Sequence, residues 1–188
     1  MWLFQTKKWG RPKEWVYRLI GREARSSALS RIETYLQENK ISYRLLPHSK
    51  AFFASELAKS LHVTEDRVAK AVIVRARRSF IMAVLPAPLQ VNFPRLAHLL
   101  KTNHLSLATE SELKSLFPDC AVGAMPPFGN LYGLPVYVDV SLNQEPILYF
   151  AAGSDHHAIE MRYEGFNRLV KPQIGIFAAV PIERVVGF

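Results

Sequence analysis

Two apolar, β-branched-rich runs separated by three polar residues constrain the fold of this chain more than any other feature. The runs span residues 71–76 and 80–85, and Arg77, Arg78 and Ser79 lie between them. Short apolar runs bounded by a polar turn are typical of paired β-strands. The sequence therefore predicts a β-hairpin over residues 71–85.

Helical and extended patterns are interspersed on both sides of this hairpin. Capping residues and helical spacing predict helices that begin at Ser26 or Ser27, near Ser55, at Thr64 (a short helix ending near Lys70), at Asn92, at Thr109 and at Tyr163. Strands are predicted over residues 41–46, 105–108, 134–140, 147–151 and 158–161. The order shows no strict β-α-β alternation and no internal repeat. For 188 residues we therefore expect a single α+β domain in which helices flank a mixed, curved β-sheet.

Positive charge is concentrated in an N-terminal arm. Residues 1–31 contain eight Lys or Arg and two Glu, which gives this segment most of the chain's net charge of +8. A basic arm fits nucleic acid or an anionic membrane surface, and a solvated extension without a partner is an equal alternative. Pro12 begins a stretch to residue 20 with the pattern of a short helix. We predict a basic extension over residues 1–25 and the main domain over residues 26–188.

Composition bears on the compartment in which the protein acts. A single cysteine, Cys120, excludes an internal disulfide framework. The chain has no run of eighteen apolar residues that would predict a spanning helix, and its N-terminus lacks a secretory signal pattern. We expect a cytoplasmic location and no integral membrane contact.

Most enzyme templates are absent from the sequence. There is no Gly-rich nucleotide loop, no G-x-S-x-G motif and no Cys/His zinc spacing. His156 and His157 are adjacent, so that on a strand they point to opposite faces and cannot chelate one metal ion as a pair. The sequence assigns no base to Cys120, and a lone cysteine is more often simply buried.

Two local features suggest a functional site. Lys70 lies where a charged helix end leads into the first apolar run, and a lysine there reaches the surface or projects into a pocket. Residues 123–129, with the sequence GAMPPFG, form a glycine-bounded loop that contains two prolines. Such a loop can direct its remaining N–H groups at a substrate, as an oxyanion hole requires, and an ordinary tight loop is the alternative.

Five collinear segments resemble the YbaK/ProX family of aminoacyl-tRNA deacylases, which is related to editing domains of some prolyl-tRNA synthetases. The segments are VAKAVIV, LATESELKSLFPDCAVGAMPPFG, GLPVYVD, AAGSDHHAIEM and FNRLVKP, and the resemblance extends over residues 32–177. Within the loop, Gly123 and Pro127 match the family's G-x-x-x-P motif. The resemblance implies a YbaK-like α+β fold.

The resemblance also implies roles for individual residues. Lys70 would be the essential lysine near the scissile ester, and Gly123 would contact the aminoacyl group through its backbone. The implied substrate-binding positions lie in the loop and in a pocket-lining turn: Met125, Pro126, Pro127, Phe128, Gly129, Gly153, Ser154, Asp155 and His156. The family requires no metal ion, and no cofactor is expected.

The implied function is trans-acting editing, in which a small amino acid is hydrolysed from mischarged tRNA. Such editing is needed because a synthetase pocket rejects a smaller amino acid by only about 1–3 kcal/mol. The partners would be the tRNA acceptor end and, as a further candidate, a synthetase. Pro126 and the bulk of Phe128 favour a small substrate, and Arg75, Arg77 and Arg78 join the arm as candidate phosphate contacts. The alternatives are a non-catalytic tRNA- or synthetase-binding module of the same fold, and a membrane-surface protein anchored by its arm.

Overall fold

The computed structural model describes residues 27–181, so the basic arm and its expected helix lie outside the described part of the chain. The helices of residues 27–181 are α1 (Ser27–Glu38), α2 (Ala54–Leu61), α3 (Phe93–Leu100), α4 (Glu110–Leu116) and α5 (Tyr163–Val170). The strands are β1 (Tyr43–Pro47), β2 (Ala69–Ala76), β3 (Ser79–Pro86), β4 (Gln90–Val91), β5 (Leu105–Leu107), β6 (Val136–Asp139), β7 (Ile147–Ala151), β8 (His157–Arg162), β9 (Gln173–Gly175) and β10 (Ala178–Ala179). Short 3₁₀ turns occupy Glu65–Arg67, Gly129–Tyr132 and Val140–Gln144.

The predicted hairpin is confirmed and forms the centre of the largest sheet. Strands β2 and β3 pair antiparallel over their full length, from Ala69 opposite Pro86 to Ala76 opposite Ser79. Strand β5 extends this sheet antiparallel to β2, whereas β6 and β9 extend it in parallel on the other side. The sheet order is β5-β2-β3-β6-β9, with a separate three-stranded sheet β1-β8-β7 and a β10-β4 pair. The α+β class and the mixed sheet are therefore confirmed, although the strands divide into three sheets.

The central sheet is buried on both faces, which explains why β3 is apolar from Phe80 to Pro86. Met82 and Val84 pack into the larger hydrophobic core together with α1 and α5. Ile81, Ala83 and Leu85 point to the opposite face and pack against α3. Because successive side chains of a strand alternate between faces, only a continuous apolar run can fill two cores at once.

Local capping signals predicted several helix starts correctly. The side chain of Asn92 accepts a hydrogen bond from the backbone N–H of Arg95 at 3.0 Å, where α3 begins. Thr109 and Glu112 form a reciprocal capping box at the start of α4. Such caps satisfy backbone donors that a helix leaves without partners, and they depend on nearby residues alone.

The short helix expected from Thr64 to about Lys70 is wrong in its extent. Only Glu65–Arg67 forms a 3₁₀ turn, and strand pairing already begins at Ala69. The backbone of Val68 also bridges to Tyr149 of β7. Pairing with two distant strands therefore extends β2 by two residues into the segment that local pattern assigned to a helix, and Lys70 becomes a strand residue.

Asp139, at the end of β6, joins the C-terminal strands to the central sheet. Its buried carboxylate accepts hydrogen bonds from the backbone N–H groups of Phe177 and Ala178, each at 2.7 Å, and from the N–H and hydroxyl of Ser141. Burial raises the pKa of Asp139, but the hydrogen bonds from Ser141, Phe177 and Ala178 together hold that pKa below its usual value. The ionised carboxylate therefore stabilises the attachment of residues 177–179.

We expect Asp139→Asn to lower the free energy of unfolding by about 2–4 kcal/mol, because an amide accepts these hydrogen bonds more weakly than a carboxylate. The stabilisation from Asp139 is complete above the unfolded-state pKa of about 3.9 and is lost as the pH falls through the lower folded-state pKa. Urea unfolding of both proteins between pH 7 and pH 3 measures the effect, and the difference between them should shrink at acidic pH. Asp66→Asn, at an exposed aspartate, is the matched control. Equal losses in the two variants would contradict this role.

Candidate active site

A narrow cleft, open to solvent, lies where the beginning of β2 meets two loops from distant parts of the sequence. One wall is the segment that leads into α2, and the other is the glycine loop after α4. The residues that line the cleft are His48, Ala51, Phe52, Phe53, Ala54, Leu57, Ala69, Lys70, Ala71, Gly123, Met125 and Ala151. The fold therefore brings three of the candidate site residues, Lys70, Gly123 and Met125, into one cleft.

Lys70 is the second residue of β2, and its half-buried side chain lies in the cleft. Its Nζ donates a hydrogen bond to the backbone carbonyl of Ala87 at 2.9 Å. Of the two alternatives that the sequence left open, the pocket is thus the one that the structure supports. A carbonyl that holds one of the three ammonium protons restricts the position of the charge.

Gly123 brings the second loop against the first. Its φ of +87° lies in the left-handed region, and a Cβ at this position would be 2.8 Å from the carbonyl oxygen of Phe52. Both facts favour glycine, because any other residue would be strained and would collide with backbone. The loop can therefore approach the Phe52 segment closely, and the cleft lies between these two walls.

The turn at residues 153–157 connects the two walls through main-chain hydrogen bonds. Gly153 donates its N–H to Ala124 and accepts a hydrogen bond from Ala121, at 2.9 and 3.0 Å. On the other side, the carbonyls of Asp155 and His156 accept from the N–H groups of Ala51 and His48, both at 3.0 Å. Gly153 itself has a φ of +84°, which glycine adopts readily.

The side chains of this turn support the walls and do not line the cleft. The Ser154 hydroxyl lies 3.0 Å from Nδ1 of the buried His157. Asp155 pairs with Lys50 at 3.6 Å, and Nε2 of His156 lies 3.6 Å from the Asp155 carboxylate. The turn was predicted to line the pocket, whereas its described contacts position the loops that do.

The second half of the glycine loop belongs to the hydrophobic core. Pro126, Pro127, Phe128 and Gly129 are all buried and are absent from the cleft wall. The ring of Phe128 is fully buried and makes edge contacts with the rings of Tyr35, Phe150 and Phe166. A Cβ on Gly129 would meet Val136 at 2.7 Å. This placement corrects the argument that the bulk of Phe128 limits the substrate, because that bulk faces the core and anchors the loop.

The sequence analysis missed the segment at residues 48–57, which supplies half of the cleft. His48 lies there, and burial lowers the pKa of its imidazole below the usual value. Ala54 and Leu57, on the first turn of α2, add apolar surface. The only available signal was two adjacent phenylalanines before a helix start, which pattern alone does not connect to residues 70 and 123.

Cys120 is excluded as a nucleophile by its surroundings. Its sulfur lies 3.2 Å from the hydroxyl of Tyr132 and near Asp119. Burial raises the pKa of the thiol to about 11, so the reactive thiolate is scarce at neutral pH.

Within residues 27–181, the His, Cys, Asp and Glu side chains form no group of three that could hold a metal ion. In the same part of the chain, every helix is too short or too polar to cross a membrane.

The fold and this cleft define a YbaK-like α+β domain. Residues 48–169 match the family model described as an aminoacyl-tRNA editing domain, and this match covers more than half of the chain. The chain therefore belongs to the aminoacyl-tRNA editing domain family.

Individual relatives agree with this assignment. The chain is 33% identical over 114 residues to a proline–tRNA ligase of Dehalococcoides mccartyi, an alignment that covers 61% of this chain and 19% of the ligase. The chain thus spans about a fifth of the length of this curated relative. Among solved structures, a protein described as a proposed trans-editing enzyme for prolyl-tRNA synthetase has a TM-score of 0.71 at 19% identity, covering 83% of this chain and 99% of that one. A protein described only as hypothetical has a TM-score of 0.73 at 20% identity, covering 79% and 99%.

Alanine substitutions at two glycines with positive φ, Gly123 and Gly133, test whether the close approach at Gly123 shapes the cleft. Gly133 has a φ of +69°, but a Cβ there would meet nothing within 4 Å. We expect Gly133→Ala to cost about 1–2 kcal/mol of unfolding free energy from backbone strain alone. Gly123→Ala carries the same strain plus the collision with Phe52, so it should be less stable and should speed hydrogen exchange at the Gly153 amide. If the two variants have the same unfolding free energy and the same hydrogen exchange at the Gly153 amide, the loop moves to accommodate the Cβ at no cost, and the close approach does not shape the cleft.

Proposed function

We propose that this chain is a trans-acting editing hydrolase that deacylates mischarged tRNA carrying a small amino acid. The observation that carries the proposal is the meeting of Lys70 and the Gly123 loop in one cleft. Membership of the editing-domain family supports the choice of an aminoacyl ester as the substrate. The reaction adds water to the acyl carbon, breaks the bond from that carbon to the ribose oxygen, and leaves a free amino acid and tRNA with its hydroxyl protonated.

Lys70 acts on charge that develops during this reaction. As water attacks, the carbonyl oxygen of the ester becomes negative, and an ammonium held in the cleft stabilises it. The nucleophile is water, positioned by the cleft or by a hydroxyl of the substrate, so no protein-derived thiolate is needed. The hydrogen bond from Nζ to Ala87 keeps the charge in place before the substrate arrives, so little reorganisation is needed during the reaction.

The cleft walls support a small, weakly polar amino acid as the group removed. Ala51, Ala54, Leu57 and Met125 present apolar surface on both sides of the Lys70 side chain. Such a surface favours small aliphatic side chains and provides few partners for a large polar one.

A basic surface at the tip of the β2–β3 hairpin supports tRNA binding. This hairpin-tip surface consists of Arg77, His98, Lys101 and His104, which line one shallow depression. Arg77 is held there by a hydrogen bond from its Nε to the hydroxyl of Thr102 at 3.0 Å. Lys70 and Arg77 are seven residues apart on an extended chain, or about 23 Å. The separation allows the acceptor end to enter the cleft while stem phosphates contact the surface.

We expect Lys70→Ala to reduce deacylation by about 10²- to 10³-fold, the usual effect of removing one group that stabilises an oxyanion. The measurement is hydrolysis of tRNAs charged with Ala, Ser, Thr, Cys or Pro by the full chain and the variant. Lys114→Ala is the matched control, because this exposed lysine pairs with Glu110 on α4. If Lys70 acts by charge, Lys70→Arg should retain part of the activity, and the rate should not rise with a lysine-like titration from neutral to alkaline pH.

Two outcomes of that panel would change the interpretation. A wild-type rate that rises with a lysine-like titration, together with an inactive Lys70→Arg, would make Lys70 a general base instead of an electrostatic group. If no ester is cleaved above the spontaneous rate while tRNA still binds, the proposed activity fails and a non-catalytic binding module takes its place.

We expect tRNA binding by the full chain to weaken steeply with salt, and Arg77→Ala to reduce the slope of log affinity against log salt by about 1. Arg75→Ala is the informative comparison. Arg75 lies on the same hairpin but forms an ion pair with Glu112 and lies over the ring of Phe80. Its charge is therefore partly neutralised, and its removal should change the slope less. Fluorescence anisotropy with labelled tRNA measures both slopes, and a salt-independent affinity would contradict phosphate contacts.

A further inference from the structure

Two adjacent phenylalanines at the mouth of the cleft are unusually exposed. Phe52 retains 52% and Phe53 68% of its accessible surface, and both rings line the cleft. Large aromatic side chains contribute most when they are buried, so two neighbouring exposed rings indicate a surface that is covered in a complex. Neither ring is accounted for by the chemistry at Lys70.

The backbone that carries these rings is fixed before any ligand binds. The carboxylate of Glu56, on the first turn of α2, accepts hydrogen bonds from the N–H groups of Phe52 and Phe53 at 2.8 and 3.3 Å. The carbonyl oxygen of Phe52 lies against Gly123, so close that a Cβ on that glycine would be 2.8 Å from it. A ligand that covers the rings therefore does not have to order this segment first, which reduces the entropic cost of binding.

A lysine ammonium lies over one of the two rings. The Nζ of Lys50 is 4.8 Å from the centroid of the Phe52 ring, and it also lies 3.6 Å from the Asp155 carboxylate. An aromatic surface with an adjacent cation is the combination by which proteins bind single-stranded nucleic acid, with rings stacking on bases and cations contacting phosphates.

We propose that Phe52 and Phe53 form the stacking surface for the 3′-terminal adenine of tRNA, with Phe53 presenting the more exposed ring. This inference rests on the proposed function and specifies where the substrate's nucleoside binds. The terminal base and the aminoacyl ester are attached to the same ribose. An ester placed beside Lys70 therefore leaves the base at the cleft mouth, where the two rings are exposed.

Stacking at this place explains how one site serves different tRNAs. Every base offers a π-face, so stacking on phenylalanine provides affinity without reading sequence. The same contact also orients the ribose, and thereby the ester, relative to Lys70. The rings are thus binding and positioning groups, and the proton transfers of hydrolysis occur elsewhere in the cleft.

The test uses uncharged acceptor-stem hairpin RNA, one form ending in CCA and one in which the last nucleotide lacks its base. Binding to the full chain is measured by fluorescence anisotropy at fixed salt. We expect the wild type to prefer the adenine-ended RNA, and Phe53→Ala to weaken binding of that RNA by about 5- to 150-fold while changing abasic RNA binding much less. Phe53→Trp should preserve the preference, because it keeps an aromatic surface.

Ile176→Ala is the matched control, because Ile176 is exposed to a similar degree (67%) and lies outside the cleft wall. It should leave both affinities unchanged, and thermal melts confirm that each variant is folded. Equal wild-type affinity for the two RNAs, or an equal loss for both in Phe53→Ala, would overturn the proposal. The latter result would favour a general surface contact with RNA. If the two rings instead bind a protein partner, Phe53→Ala would leave RNA binding unchanged, which would also overturn the proposal.

Binding of uncharged RNA requires no catalysis, so this test is separate from the proposed activity. If the wild type hydrolyses charged tRNA but shows no adenine preference, the stacking surface fails and the enzyme function stands. If the preference depends on Phe53 but no ester is cleaved, the stacking surface stands and the hydrolase function fails.

Discussion

Main-chain hydrogen bonds to a single turn, residues 153–157, hold the two walls of the cleft at a fixed separation. Gly153 binds the Gly123 loop through Ala121 and Ala124, and the carbonyls of Asp155 and His156 bind the segment before α2. These walls are about 70 residues apart in sequence, and each would be a surface loop without this connection. Because the turn leads directly into β8, the position of both walls is determined by the β1-β8-β7 sheet.

The third part of the site depends on a different sheet. Lys70 belongs to β2, whose pairing with β3 is continuous and whose neighbours fill two hydrophobic cores. The bridge from Val68 to Tyr149 connects this strand to β7 just before the lysine. The cleft therefore lies at the contact of two sheets, and close packing on both sides restricts the movement of the ammonium relative to the loops.

Features that depend on neighbouring residues were predictable from the sequence, and features that depend on distant contacts were not. The caps at Asn92 and Thr109 and the hairpin over residues 71–85 follow from local chemistry. Whether Lys70 faced solvent or a pocket was undecidable, because the facing wall comes from residues far along the chain. The orientation of Phe128 likewise depends on Tyr35, Phe150 and Phe166, which no local pattern connects. Strands β4, β9 and β10 have two or three residues each, too few for a periodic signal.

The connections through the 153–157 turn use peptide groups, which every residue possesses. Side chains on the cleft walls can therefore be exchanged during evolution without loosening the framework that positions them. Glycine at 123 and 153 is the main exception, because the backbone itself requires it. A scaffold of this kind can diverge widely in sequence while its geometry persists, in agreement with TM-scores above 0.7 at about 20% identity. The same framework can therefore carry cleft walls of different composition.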